Sequence, residues 1–418
     1  ATRVNEAQLI EKGRENVLLQ SNNFSQNIWV SQAVTRTSGE EGYDGSSDAW
    51  IIKPGSTSAA RHFLYNNNFA NNGVNTMSAY VKYSGYHAQI RVYGIGDGEA
   101  YANFDLQNGT KGTSGGNSII DSSITGVGNG WYRISLTLNN SSAYNAGIGP
   151  IPSPTSSEHI VFTGDGTSGI FLQDFQLEQG LVATPYIETG ASTAQAGLLE
   201  NTPRLDYTDS SCPALLLEPQ RTNLVPISEG VPEDSQQSTL TENYGTSPEG
   251  VQNSLKVQKQ GVNANDRILF IDNYNAVLVS GRDYSISAFV KNIDADITGV
   301  TTIGCRVNGG SLFRQGYEWT SNGLITSSSY GGSGVKSNLL LEDYGNGWWR
   351  VGFGFEADGT SGNFELDIDR ENGSDTTSIE TWGWQFESAT GGASYPTSYI
   401  PTYGTSQTRA QEVCENGG

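Results

Sequence analysis

The sequence predicts an all-β protein built from two tandem antiparallel jelly-roll β-sandwiches. Three observations support this fold class: apolar and polar residues alternate over long stretches, Asn-Gly pairs recur between them, and the chain contains a long internal repeat. Gly is abundant, at 52 of 418 residues, and only 16% of residues are charged. This composition is typical of short strands joined by many turns. The only stretches with a helical pattern are short, around residues 6–12.

Alternation is clearest in the segment 131–138, where every second residue is apolar. A period of two is the pattern of a half-buried strand, so one face of the segment should line a core. Segment 349–355 has the same pattern. The residues that we expect to be buried are Ile134, Leu136 and Leu138 in the first segment and Val351, Phe353 and Phe355 in the second. Tight turns are predicted at Asn108-Gly109, Asn129-Gly130, Asn322-Gly323 and Asn346-Gly347.

The internal repeat relates the two halves of the chain at an offset of about 210 residues. Ser78-Ala79-Tyr80-Val81-Lys82 recurs as Ser287-Ala288-Phe289-Val290-Lys291, and Gly128-Asn129-Gly130-Trp131 recurs as Gly345-Asn346-Gly347-Trp348. Phe175-Gln176-Leu177-Glu178 recurs as Trp384-Gln385-Phe386-Glu387. The order is conserved, which indicates a duplicated domain. We predict a first module over residues 1–190, a linker over 191–218 and a second module over 219–418.

Charge and the length of apolar runs exclude two classes of function. The chain carries 44 acidic and 23 basic residues, a formal net charge of −21. Nucleic-acid binding depends on basic residues that contact phosphates, and the sequence has no Lys/Arg cluster. No apolar run approaches the length needed to cross a bilayer as a helix. We therefore predict no nucleic-acid partner and no membrane insertion.

Two sequence matches to catalytic motifs lack the context that their chemistry needs. Gly164–Gly169 fits the dinucleotide pattern G-x-G-x-x-G, but a strand-like run follows it in place of a helix. Gly112–Gly116 fits the nucleophile elbow G-x-S-x-G, again without a helix, and the second module contains no His. Glycoside hydrolysis uses a pair of carboxylates. Neither module has an acidic residue within an aromatic run that recurs in the other module, so the sequence gives no sign of such a pair. We predict no enzyme activity and no cofactor.

A structural calcium ion is one open alternative, at a position that the sequence does not define. Asp367–Gly373 resembles an oxygen-rich calcium loop, although its Gly lies one place late for an EF-hand. Of the three cysteines, Cys305 alternates with polar residues and should be a small buried side chain. Cys212 and Cys414 lie near Gly, Ser and Asn, and a disulfide between them is a second open alternative.

Basic residues recur at corresponding positions of the two modules, on the polar side of the predicted strands. Around Ile90 and Val92, the neighbouring side chains point away from the core, and a planar aromatic with Arg and amide groups is a typical sugar-binding combination. The candidate glycan-binding residues are Lys82, Gln89, Arg91, Tyr93 and Arg133 in the first module and Lys291, Arg306 and Arg350 in the second. The alternative is a solvated sheet face on which these cations pair with acids.

Three segments resemble a known family. They are Ala1–Glu6 with Leu9–Glu11; Cys212–Leu224; and Trp384–Glu387 with Tyr395–Thr402 and Thr408–Ala410. Together they resemble tailed-bacteriophage virion appendage proteins, the head-fibre and tail-fibre structural proteins with carbohydrate-binding-like sandwich modules. The first module reads Ala183–Glu188 where the second has its long Pro-Thr-Ser run, so the resemblance does not imply one ligand site shared by both modules.

The resemblance implies a non-enzymatic fibre protein on the virion surface, outside the cell. Its partners would be a host cell-surface polysaccharide, other virion proteins and further copies of itself, as a trimer. It also implies flanking regions, so we read the chain as a fragment of a longer protein. Two alternatives remain: a pair of carbohydrate-binding modules from a secreted bacterial polysaccharide-processing protein, and a virion decoration protein without a ligand.

Overall fold

The protein is all-β, and the computed structural model describes it over most of its length. The described residues are 2–69, 72–94, 100–116, 118–140, 144–199, 202–208, 211–230, 238–259, 276–294, 299–329, 331–367 and 377–413. Within these ranges every regular element is a strand. The short helix expected around residues 6–12 is wrong: a turn leads directly into a strand that begins at Ile10. The described part of the chain contains no helix that is long and apolar enough for a bilayer.

The strands follow one another closely along the chain. They are β1 (Thr2–Val4), β2 (Ile10–Asn16), β3 (Trp29–Gln32), β4 (Val34–Glu40), β5 (Ala49–Pro54), β6 (Phe63–Phe69), β7 (Gly73–Ser84), β8 (His87–Gly94), β9 (Ala100–Asp105), β10 (Thr110–Gly115), β11 (Ile119–Gly128), β12 (Trp131–Asn140), β13 (Tyr144–Ile151), β14 (Gly169–Gln179) and β15 (Ala194–Gly197). The second half contains β16 (Leu205–Asp206), β17 (Ala214–Leu215), β18 (Arg221–Asn223), β19 (Ser238–Thr241), β20 (Leu255–Lys259), β21 (Ala276–Val277), β22 (Asp283–Asn292), β23 (Val300–Val307), β24 (Leu312–Thr320), β25 (Gly323–Ser327), β26 (Lys336–Asp343), β27 (Trp348–Glu356), β28 (Ser361–Asp367), β29 (Ser378–Ser388) and β30 (Gln407–Arg409).

The chain divides into two compact units. One unit is Arg14–Ala196, and the other combines Ala1–Gly13 with Gly197–Gly418. The first thirteen residues therefore belong to the unit that holds the C-terminal half, whereas we expected the first module to start at residue 1. We call Arg14–Ala196 the first sandwich and residues 197–418 the second sandwich, which carries residues 1–13 as an added hairpin.

The first sandwich consists of two six-stranded antiparallel sheets. Sheet I has the order β10-β9-β8-β13-β6-β3, and sheet II has the order β11-β12-β7-β14-β5-β4. Apolar side chains from the facing sides of both sheets form one core, in which Ile134, Leu136 and Leu138 are fully buried as predicted. Burial of such side chains contributes about 1.5–3 kcal/mol each to folding.

The second sandwich repeats this arrangement. Sheet III has the order β21-β28-β23-β24-β25, and sheet IV has the order β19-β20-β29-β22-β27-β26 with β18 paired to β29 and β30. Val351, Phe353 and Phe355 are buried in its core, as predicted, and so is Cys305. Two short hairpins complete this unit: β1 pairs with β2, and β16 pairs with β17.

The duplication extends to individual polar side chains. The amide oxygen of Asn16 accepts hydrogen bonds from the backbone nitrogens of Leu18 and Leu177. Asn223 does the same for Val225 and Phe386. The two turns before β12 and β27 also match, because Asn129 and Asn346 both have a φ of 52°. Asn is one of the few residues that adopt this left-handed conformation readily, which explains the Asn-Gly pairs at Asn129-Gly130 and Asn346-Gly347.

Candidate functional site

The outer face of sheet I carries a cluster of aromatic rings around one arginine. Arg91 on β8 lies opposite Gly147 of β13 on one side and Tyr101 of β9 on the other, and Gly147 in turn lies opposite Tyr65 of β6. These residues therefore form one row across four strands. Tyr93 follows two residues after Arg91 on the same face, because side chains on one face of a strand recur with period two.

Arg91 lies between two rings. Its guanidinium carbon is 5.5 Å from the ring centre of Phe63 and 5.2 Å from that of Tyr93. The Tyr65 ring meets Tyr93 edge-on at 5.4 Å between centroids. Burial, with a hydrogen bond to Tyr65, raises the pKa of the Tyr93 hydroxyl well above its ordinary value, so this group stays protonated. We call Phe63, Tyr65, Arg91 and Tyr93 the aromatic–arginine platform.

Two glycines make room for this platform. A Cβ atom at Gly147 would lie 2.4 Å from the carbonyl oxygen of Leu64 and 2.7 Å from the ring carbon Cε1 of Phe63, and one at Gly149 would lie 2.2 Å from the carbonyl oxygen of His62 and 2.8 Å from Cδ2 of Phe63. All four distances are too short for real contacts, so these two positions on β13 accept only glycine, because both the neighbouring backbone and the Phe63 ring approach closely. The platform thus depends on the small residues of β13 as well as on its own rings.

The segment 152–160 covers one end of the platform. The Glu158 carboxylate oxygen Oε1 lies 3.6 Å from Nε of Arg91. Further along the same face, the Gln89 side chain donates to Asn103 at 2.8 Å, and Asn103 donates to the carbonyl of Ser156 at 2.7 Å. Gln89 is therefore engaged in holding this segment down, and Tyr65, Tyr93 and Tyr101 remain half-exposed beyond its edge.

The structure corrects the expectation that the candidate basic residues share one solvent-exposed face. Arg91 lies on sheet I, whereas Lys82 on β7 and Arg133 on β12 lie on sheet II. Arg91 retains only 5% of its exposure, because rings and segment 152–160 cover it. Alternation identifies which side chains point away from the core, but it does not identify the sheet or what covers it.

Arg133 and Lys82 have structural partners on sheet II. Arg133 donates through Nη2 to the hydroxyl of Ser78 at 3.2 Å and to the carbonyl of Thr184, with its guanidinium over the Tyr80 ring. Lys82 is half-buried and lies opposite Trp131 in the strand register. The Arg133 side chain is therefore occupied by structural contacts within the sheet, with a hydroxyl and a carbonyl as its hydrogen-bond acceptors. A glycan contact at either stays a prediction.

The described residues of the second sandwich repeat these contacts but not the platform. Arg350 donates to Ser287 and Thr397, and Lys291 lies 3.6 Å from the Glu380 carboxylate and over the Trp348 ring. Arg306, which corresponds to Arg91, donates through Nε to Glu365 at 2.8 Å on sheet III. The residues opposite Arg306 are Asn363 and Leu312, in place of a glycine and a tyrosine.

Sequence reasoning missed Phe63, Tyr65, Tyr101 and Glu158. The signal was present for the first two, since Phe63-Leu64-Tyr65 alternates aromatic residues around an apolar one. Their proximity to Arg91 depends on the pairing of β6 with β13 and of β13 with β8, which the local sequence does not report. Glu158 lies in an irregular segment and carried no periodic signal.

A second polar cluster lies in the first sandwich, around the Asp174 carboxylate. Asp174 accepts a hydrogen bond from the Tyr43 hydroxyl at 3.0 Å and adopts a left-handed φ of 56°. Burial, with the like charges of Asp48, Asp44 and Glu188 nearby, raises the pKa of Asp174 to about 7. The Gln173 amide nitrogen lies among the acidic side chains, donating to Asp48 at 2.7 Å and to Asp44 at 3.3 Å.

The described residues include only part of the candidate calcium loop and one of the two cysteines that could form a disulfide. Within those residues no group of three or more His, Cys, Asp or Glu side chains could hold a metal ion. Most of the loop Asp367–Gly373 lies outside them, and so does Cys414. Cys212 is exposed. The structural calcium ion and the Cys212–Cys414 disulfide therefore remain the open alternatives that the sequence left.

Comparisons with known proteins add a similarity to solved structures. No protein-family profile matches the chain, and no curated protein matches it. Among solved structures, the chain is similar to the N-terminal CBM22-1–CBM22-2 tandem domain of Paenibacillus barcinonensis Xyn10C. The similarity covers 90% of this chain and 98% of that chain, at 11% sequence identity and a TM-score of 0.25.

Proposed function

We propose that this chain is a non-catalytic carbohydrate-binding protein that contacts its glycan through the aromatic–arginine platform of the first sandwich. The observation that carries the proposal is the position of Arg91 between the rings of Phe63 and Tyr93. Half-exposed Tyr65, Tyr93 and Tyr101 offer flat apolar faces beside it. Pyranose rings present C–H groups on one face and hydroxyls around the rim, which such a combination complements.

The charge of the site favours a neutral sugar. The Glu158 carboxylate lies 3.6 Å from Arg91 and offsets its charge, and its partly exposed oxygens offer acceptors to sugar hydroxyls beside the tyrosine rings. The formal net charge of −21 repels a polyanion at long range, although salt screens this field beyond about 8 Å. We therefore expect a neutral or cationic glycan to bind more tightly than a sulfated one.

Only the first sandwich has this platform among the described residues. On sheet III, Glu365 lies between Arg306 and Arg314, at 2.8 and 2.7 Å, and forms an ionic network. Asn363 stands at the position of Gly147, where a side chain would meet a ring like that of Phe63. We expect glycan binding in one module and a structural role for the other.

The biological setting that we propose rests on the resemblance of three sequence segments to phage appendage proteins. In this proposal the protein is a fibre component on the virion surface, assembles with other virion proteins and binds a host cell-surface polysaccharide. A pair of carbohydrate-binding modules in a secreted polysaccharide-processing protein would use the same platform. The flanking genes separate the two: structural virion genes favour the first, and a catalytic domain favours the second.

The test is a glycan screen with the full chain, followed by titration calorimetry on the best ligand. Tyr93→Ala removes a ring of the platform and should weaken binding about 5-fold or more, because stacking contributes about 1 kcal/mol beyond buried area. Asn308→Ala is the matched control, since it changes the corresponding position of the second sandwich. Equal affinity in both variants would contradict the proposal, as would a screen without any bound glycan.

A further inference from the structure

The aromatic–arginine platform lies along a longer row of residues that crosses all six strands of sheet I. The members of this row lie opposite one another in neighbouring strands and belong to the outer face, because their strand neighbours such as Leu64, Ile90 and Ala102 line the core. From β3 to β10 the row consists of Val30, Tyr65, Gly147, Arg91, Tyr101 and Gly115. Adjacent strands lie about 4.8 Å apart, so Tyr65 and Tyr101 are separated by about 14 Å.

Tyr101 extends the platform beyond Arg91, and a glycine makes room for its ring. A Cβ atom at Gly115 would lie 2.8 Å from Cε1 of Tyr101 and 3.3 Å from its Cζ. The ring therefore fills the space above Gly115 that a side chain would occupy, as the Phe63 ring does at Gly147. Tyr101 is half-exposed in this position, so the row carries aromatic surface on both sides of Arg91.

Segment 152–160 forms a wall along one side of this row, because it crosses three strands in order. The Pro154 carbonyl accepts a hydrogen bond from the backbone of β10 at 2.9 Å. The Ser156 carbonyl accepts one from an amide side chain of β9 at 2.7 Å. The Glu158 carboxylate then lies 3.6 Å from Arg91 on β8. A ligand on the row is therefore guided parallel to this wall, across the strands rather than along them.

Small residues stand at both ends of the row. Val30 lies on β3 and Gly115 lies on β10, which are the edge strands of sheet I. Neither residue has a side chain long enough to stop a ligand that continues past the neighbouring tyrosine rings. Among the described residues of the row, both ends are therefore open, which fits the middle of a polymer better than its terminus.

We infer that the platform binds an internal stretch of a linear, neutral polysaccharide that lies across the strands of sheet I, with Tyr65 and Tyr101 stacked on different sugar residues. The inference rests on the proposed function, and it adds the length and direction of the glycan and a further contact residue, Tyr101. The separation of about 14 Å between the two tyrosines exceeds the length of one pyranose ring, so no single sugar contacts both.

The wall also limits the shape and charge of the glycan. A branch that points towards segment 152–160 would collide with it, because hydrogen bonds to two strands hold this segment in place. A linear chain avoids that collision and keeps one flat face of each stacked sugar on a tyrosine ring. Glu158 offsets the charge of Arg91, so the row offers no free cation to an acidic sugar.

The test is titration calorimetry of the full chain with the polysaccharide that binds best in the glycan screen and with its oligomers of one to six residues. Affinity should rise with length until both tyrosines are occupied, by about 5-fold or more over the single sugar, because a second stacking contact contributes about 1 kcal/mol. A six-residue oligomer whose terminal sugar has been reduced should bind as tightly as the unreduced oligomer, since the row contacts the interior of the chain.

Two substitutions test Tyr101 itself. Tyr101→Ala should reduce the rise in affinity from the single sugar to the six-residue oligomer about 5-fold, because one stacking contact is lost. Leu312→Ala is the matched control, since Leu312 lies opposite Arg306 in the second sandwich as Tyr101 lies opposite Arg91 in the first.

Gly115→Ala tests the position of the ring without removing it. The added Cβ atom displaces the Tyr101 ring, so this variant should also reduce the dependence of affinity on length. Gly126→Ala is its control, because a Cβ atom there would lie 3.8 Å from the Tyr132 ring, which is an ordinary contact.

The outcomes separate this inference from the proposed function. Equal affinity for the single sugar and the six-residue oligomer would overturn the inference and leave glycan binding by the platform in place. Loss of binding on reduction of the terminal sugar, wild-type length dependence in Tyr101→Ala, or a charged polysaccharide as the best ligand would overturn it as well. A screen in which no polysaccharide binds would contradict the proposed function, and this inference with it.

Discussion

Arg133 and Arg350 make the same two hydrogen bonds in the two sandwiches. Each donates through Nη2 to a serine hydroxyl on the neighbouring strand, Ser78 or Ser287, and to the carbonyl of a threonine, Thr184 or Thr397. The two threonines begin matching Thr-x-Tyr-Ile-x-Thr segments. Both arginines thus tie this segment to the outer face of a sheet, which explains why the sequence repeats them.

Removing either arginine should destabilise its sandwich. Arg350→Ala leaves the buried Ser287 hydroxyl without this donor, whereas the Thr397 carbonyl keeps the Gln385 amide at 3.1 Å. One unsatisfied buried group costs about 1–3 kcal/mol, so we expect the free energy of unfolding to fall by about that amount in urea titrations. Arg306→Ala is the control: its side chain is 42% exposed, and Glu365 keeps Arg314 as a partner. An equal loss in both variants would contradict this assignment.

Asp174 should make the stability of the first sandwich depend on pH. The pKa of Asp174 is about 7 in the folded chain, against an ordinary value of 3.8. Between these two pH values the folded state binds a proton at Asp174 that the unfolded state does not. The contribution of Asp174 to the free energy of unfolding is therefore fully present below about pH 4 and is lost as the pH rises through 7.

Asp174→Asn should remove this dependence. Asn cannot ionise, and it tolerates the left-handed φ of 56° at this position. The variant should be more stable than wild type at pH 8 and similar at pH 4, with a maximum gain of about 1.4 kcal/mol for each unit of pKa shift. Thermal unfolding at several pH values measures this. Asp121→Asn, at a half-buried carboxylate on β11, is the control, and parallel curves for wild type and Asp174→Asn would refute the prediction.

Lys12 anchors the hairpin formed by β1 and β2 through a buried ionic cluster with Glu229 and Glu249. Burial alone would lower the pKa of Lys12, but the carboxylates of Glu229 and Glu249 hold it well above its ordinary value. Lys12→Met leaves these carboxylates without their cation, a change that costs about 3–5 kcal/mol when a buried pair is broken. Denaturant titration should show this loss at neutral pH.

Neutralising the acids should rescue that variant. Adding Glu229→Gln and Glu249→Gln to Lys12→Met removes the buried charges, and most of the lost stability should return. Lys111→Met is the matched control, because Lys111 is largely exposed and its pair with Asp121 contributes little. If the triple variant is less stable than Lys12→Met, the hairpin is not held by charge pairing.

The core could be predicted from the sequence because it depends on local alternation. Ile134 and Phe353 are buried for the reason that their strands alternate with period two. The all-β class and the duplication follow from the same local signals. The identity of the sheets could not be predicted: Lys82 and Arg91 are nine residues apart on consecutive strands, yet a tight turn at residues 85–86 sends the second strand to the other sheet.

The candidate site was predictable only in part for the same reason. Arg91 and Tyr93 share a strand, and their common face was evident from spacing. Phe63 reaches Arg91 across β13, where Gly147 and Gly149 permit the approach, and this depends on pairing between distant segments. Glycines in a strand carry no apolar signal, so their role appears only once the neighbouring ring is in place.

The most direct test of the central claim is a crystal structure of the full chain with the best glycan from the screen. The account predicts a sugar ring stacked on Tyr93 or Tyr65, with its hydroxyls within hydrogen-bonding distance of Arg91 or Glu158, and no sugar at Arg306 on sheet III. A glycan bound on sheet III, or on the first sandwich away from these four residues, would contradict it.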